Sequence, residues 1–160
     1  MQLLNKATHF ASAKEDLKKI YLTFVRSILE QSSAVWHSSL SKKNHRDLER
    51  VQKAAVRVIM GQTYTGYENG LKALNIETLD KRRDRLCLRF AKNCLKSEKL
   101  RNLFERNNPT YKMKKRNEPK SFKCKKIRTE RYKKSSIPFM TNLLNKESEE
   151  KSLQMKEIDT

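Results

Sequence analysis

This chain of 160 residues lacks most of what would mark it as secreted, membrane-spanning or metal-held. It has only three cysteines, Cys87, Cys94 and Cys124, and no Cys-x-x-Cys pair. An odd count without paired spacing argues against a disulfide framework and points to a reducing compartment, nuclear or cytoplasmic. Cys87 and Cys94 would stand about 10 Å apart along a helix, too far for one zinc ion or a disulfide. Both read as small buried hydrophobes, and no metal or cofactor is expected. No apolar run approaches the roughly 20 residues needed to span a bilayer. The opening MQLLNKATHF has no long apolar h-region, so neither secretion nor a membrane partner is expected. His9, His37 and His45 stand apart from any obvious acid or nucleophile, which argues against catalysis and against a small-molecule substrate. Trp36, the single tryptophan, reads as a packing anchor.

Acidic residues are also scarce. Asp and Glu number 18 against 37 Lys and Arg, leaving a net charge of +19. A surplus of that size points to a polyanionic partner, nucleic acid first. The surplus is local. Tyr111 to Lys134 holds 12 basic residues against Glu118 and Glu130, and Lys81 to Arg101 holds 9 against Asp84 and Glu98. The last stretch, 146–160, has 3 basic and 5 acidic residues and reads as a mildly acidic disordered tail. With 36% hydrophobic and 34% charged residues, only part of the chain can bury a core.

Helical periodicity dominates the first two-thirds. Leu17, Ile20, Tyr21, Phe24, Val25, Ile28 and Leu29 follow the spacing of one buried face, from a capping box at Ser12 and Glu15 to about Gln31. Leu48, Val51, Ala55, Val58 and Ile59 do the same in a second helix, with Asn44 as N-cap and Gly61 as its left-handed end. Arg26 and Arg57 beside these stripes suggest interhelix salt bridges to Glu30 and Glu49. A short helix carries Leu71 and Leu74 inward, and Thr78 opens a third long helix. There Leu79, Leu86, Cys87, Phe90, Ala91, Cys94 and Leu95 make the apolar face. The expectation is an all-α fold: a small bundle of three to four helices over 10–106, followed by an extended, basic, largely disordered C-terminal tail. Within that tail, 107–134 is the basic linker and 135–145 an uncharged, apolar docking segment.

Four segments lie in an order that composition alone does not produce. They are IYLTFVRSILEQSSAVWHSSL (20–40), DLERVQKAAVRVIMG (47–61), LNIETLDKRRDRLCLRFAKNCLK (74–96) and RYKKSSIPFMTNLLN (131–145). In this order the chain resembles the C-terminal, thumb-side region after the polymerase core in reverse transcriptases of non-LTR retrotransposons, the jockey and CR1-like LINE elements. The resemblance implies RNA and DNA, template and primer, as partners, together with the polymerase portion that would precede Met1. The family's polymerase holds magnesium on paired aspartates. No Asp-Asp dipeptide occurs in the chain, so the resemblance implies a truncated, non-catalytic piece of an RNA-directed DNA polymerase. The alternative is an independent basic nuclear adaptor, its bundle binding protein and its tail attaching to nucleic acid or chromatin.

Two sets of residues are candidates for nucleic-acid contact. Arg82, Arg83, Arg85, Arg89 and Lys92 read as the solvent face of the third long helix, with fork-like donors for phosphate. Lys114, Lys115, Arg116, Lys125, Lys126, Arg128, Arg131 and Lys133 lie in the basic run with Tyr111, Phe122 and Tyr132 interleaved. There aromatics can stack on bases while lysines neutralise phosphates.

Overall fold

The computed structural model describes residues 6, 13–107 and 121–158. Among these the secondary structure is helical, and the one β feature is an isolated antiparallel bridge between Arg106 and Phe122. The chain divides into two compact units, with one boundary between Arg83 and Asp84. The described residues also form more helical segments than three or four.

The first unit takes the chain up to Ser33 and again from Leu40 to Arg83. Its first helical run comprises α1 (Lys14–Ile20), a π-helical turn (Tyr21–Val25) and α2 (Arg26–Glu30). The run starts at Ala13, with Glu15 and Asp16 in its first turn, where carboxylates complement the helix dipole. Ser12 lies outside the described residues. Ser32, at φ 53°, ends the run. Leu17 and Tyr21 are buried as expected, but Phe24 is 61% and Ile28 71% exposed. The π turn supplies the reason: one extra residue per turn rotates everything after it, bringing Val25 inward and turning Phe24 and Ile28 out.

Next in the chain, α3 (Ser33–Trp36) is followed by a short 3-10 turn, and then by α4 (Lys42–Met60). Ser41 caps α4, accepting the Asn44 backbone N–H at 3.1 Å, so the helix begins before the expected cap at Asn44. Gly61 ends it at φ 52°. From α5 (Tyr67–Leu74), Leu71 and Leu74 pack with Leu17, Tyr21, Ala55, Val56 and Ile59 to form this unit's core.

The second unit takes Ala34–Ser39 and the chain from Asp84 onward. The chain enters it within α6 (Leu79–Lys96), whose Cys87, Ala91 and Cys94 are buried at i, i+4, i+7. Phe90, expected on that face, sits at its edge and is 45% exposed. Phe104, Phe122, Met140 and Leu144 complete the second core. A short α7 (Glu130–Lys133) is capped by Thr129, which accepts the Tyr132 N–H at 3.2 Å. It leads into α8 (Ser136–Ile158), one helix of 23 residues. This helix takes in most of the stretch expected as an apolar docking segment and acidic tail. Its Ile137, Met140 and Leu144 line the side that meets the core.

Candidate nucleic-acid interface

The expected row on α6 is divided by its surroundings. Arg83 is fully buried, its Nη2 3.7 Å from Asp80 Oδ1, and so cannot meet a phosphate. The cause is geometric: successive helical residues are turned by about 100°, so Arg83 cannot share the face of Arg82. Arg82 Nε donates to both carboxylate oxygens of Glu30, at 3.1 and 3.3 Å. Glu30 also pairs with Arg26 within its own helix at 3.5 Å, instead of in the interhelix pair expected for Arg26. In the second unit Arg85 and Arg89 are exposed, while Lys92 Nζ donates to Glu147 Oε1 at 2.5 Å. That hydrogen bond, reinforced by the charges of Lys92 and Lys151, holds the Glu147 carboxyl below the usual carboxylate range.

The basic run is better presented. Lys123, Lys125, Lys126, Arg128, Arg131, Lys133 and Lys134 are all exposed. Two features fix the start of this stretch. Phe122 is buried, and Asn145 on α8 clamps its backbone, accepting the Phe122 N–H at 2.8 Å and donating to its carbonyl at 3.1 Å. Phe122 is thus a core anchor and no stacking platform. Tyr132 is exposed and borders a small cleft with Leu103, Ile127 and Ile137. Lys123 and Lys125 line the same cleft and both approach Glu105, at 3.6 and 3.5 Å. Tyr111, Lys114, Lys115 and Arg116 lie outside the described residues.

Two histidines expected to be isolated have carboxylate partners on α6. His37, buried, places Nε2 2.8 Å from Asp84 Oδ1 and meets the ring of Phe139 edge-on at 5.6 Å. His45 Nδ1 lies 2.8 Å from Asp80 Oδ1. Each pair joins residues 47 or 35 positions apart, which no local spacing reveals.

A buried polar network in the first unit also went unseen in the sequence. Tyr21 donates its hydroxyl to Gln52 Oε1 at 2.6 Å. Gln52 Nε2 donates to the Tyr67 hydroxyl at 3.0 Å and to the Glu77 carbonyl at 2.9 Å. Tyr67 in turn donates to Glu49, which is therefore engaged here rather than in an interhelix salt bridge. Burial pushes both phenols above their ordinary value, and the hydrogen bond to Glu49 adds to the effect at Tyr67.

No protein-family model, curated protein or solved structure matches this chain.

Proposed function

We propose that this chain binds nucleic acid as the non-catalytic, C-terminal helical region of a non-LTR retrotransposon reverse transcriptase, gripping template RNA and primed DNA behind the polymerase core. The observation that carries the reading is the exposed segment from Lys123 to Lys134. Seven cations lie there against Glu130 and the nearby Glu105. Its start is pinned by Phe122 and Asn145, and its end by α7. Arg85 and Arg89 add cations from the same unit. The order of the four resembling segments supplies the family part of the reading, and the missing aspartate pair supplies the non-catalytic part. The mechanism is neutralisation of phosphates with release of counterions, so affinity must fall steeply with salt. Tyr132 contributes a stacking surface of lesser weight.

A second reading has one observation in its favour. Phe24 and Ile28 form an exposed apolar pair one helical turn apart, which suits a protein partner of an independent basic adaptor.

Fluorescence anisotropy with a labelled single-stranded RNA tests the first reading. The triple variant K125Q/K126Q/R128Q is expected to lose about tenfold or more in affinity at 0.1 M salt. Unaltered binding would remove the basic segment from the account. Absence of RNA binding by the intact chain would overturn the first reading. Arg83 stays unchanged in such variants, because replacing a fully buried side chain costs stability and would confound the result.

A further inference from the structure

The first unit carries a row of cations that neither the charge density nor the resemblance singles out. Lys43, Arg46, Arg50, Lys53 and Arg57 recur on α4 at intervals of three and four residues, and all five are exposed. At about 100° per residue they fall within an arc of about 80°, and at 1.5 Å per residue the row is about 21 Å long. The opposite side of α4 presents Gln52, Ala55, Val56 and Ile59 to the core, so the row is mounted on a packed, rigid element. An open groove runs beside it, bordered by Lys43, Arg46, Arg50, Lys53 and Tyr67. Of the acids there, Glu49 is engaged by the Tyr67 hydroxyl and the Leu79 N–H, and Asp47 approaches only Arg50, at 3.4 Å.

The partner's chemistry follows from what the row contains and what it leaves out. It has no apolar side chain to enter a bilayer, and no exposed aromatic or aliphatic anchor of the kind that gives a peptide most of its affinity. A single strand would call for stacking platforms. Tyr67, the one aromatic at the groove, is only partly exposed and its hydroxyl is held by Gln52 and Glu49. What remains is a straight line of charge. Each strand of a duplex carries a phosphate about every 3.4 Å of axis but winds around that axis, so the straight row can meet only the few phosphates of one strand that face it. Resting on the nucleic-acid reading above, we infer that α4 tracks one phosphate backbone of a nucleic-acid duplex without reading its sequence, while the single-strand contact belongs to the segment around Tyr132.

The test uses the full chain with a labelled 20-base-pair RNA duplex, a 20-nucleotide single strand and phosphatidylserine vesicles as probes. The variant R46Q/R50Q/K53Q alters exposed side chains only, and an unchanged melting curve confirms that it folds. Its duplex affinity is expected to fall about tenfold or more at 0.1 M salt. The slope of log affinity against log salt should lose about 2 to 3, and single-strand affinity should change much less. Duplex affinity and slope equal to those of the intact chain would overturn the assignment. If K125Q/K126Q/R128Q still lost RNA binding in that case, the proposed function would stand without it. Equal losses on duplex and single strand, or tighter binding to vesicles than to duplex that vanishes in R46Q/R50Q/K53Q, would also overturn it. If the intact chain bound neither nucleic acid, both readings would fall together.

Discussion

Single side chains set the tolerances of this molecule. Gly70 lies inside α5, where replacing glycine by alanine ordinarily favours a helix by about 1 kcal/mol. Here an alanine Cβ would meet Val56 Cγ1 at 2.5 Å. Val56 is fully buried and the two helices have closed on the missing side chain, so overpacking costing about 1 to 3 kcal/mol should win. Thermal denaturation of Gly70→Ala is expected to show a lower midpoint, and a midpoint equal to or above that of the parent would contradict the close approach. Tyr21 and Tyr67 give a second prediction at this scale. Their native pKa values are raised, so the stability they contribute is whole below about pH 10. It is lost as the pH climbs above that value, where the unfolded chain ionises first. In a spectrophotometric titration, part of the phenolate absorbance from the five tyrosines should appear only as the helical signal disappears. Complete ionisation near pH 10 with the fold intact would refute the buried network. The burial of Arg83 was legible in principle, because adjacent arginines on a helix cannot share a face. The partners of Gln52 were not, because they come from residues 31, 15 and 25 positions away.

At the scale of elements, periodicity identified α4, α5 and α6 because each carries its apolar residues at helical spacing, and Gly61 marks the end of α4. The π turn in the first helix broke the same logic. Its sequence keeps the i, i+3, i+4 pattern through Ile28 while the backbone slips the register at Tyr21–Val25. Composition misled at α8. An uncharged stretch followed by a charged, acidic one looks like a boundary, yet good helix formers such as Lys, Glu, Leu and Met continue the helix across it. Near the middle of α8, Asn145 satisfies both backbone groups of Phe122 and so holds the basic segment against the second core. Asn145→Ala should lower stability by about 1 to 3 kcal/mol, because it leaves buried backbone groups without partners. Denaturant unfolding would measure the loss. Stability unchanged within about 0.5 kcal/mol would mean that the clamp holds nothing.

Over the whole molecule, the net charge of +19 was plain from composition, and the two densest basic stretches were found by counting. Counting says where cations are frequent, and folding decides which of them face solvent. In the densest helical stretch Arg82, Arg83 and Lys92 are drawn into pairs with Glu30, Asp80 and Glu147. The less dense α4 keeps five on one open side. Among the described residues no helix is long and apolar enough to cross a membrane. Whether these surfaces bind nucleic acid through its phosphates is decided by the affinity of the intact chain for a labelled RNA duplex and single strand between 50 and 400 mM salt. Binding to both is expected, with log affinity falling linearly against log salt at a slope of about −4 or steeper for the duplex. No binding at 50 mM, or an affinity indifferent to salt, would contradict it.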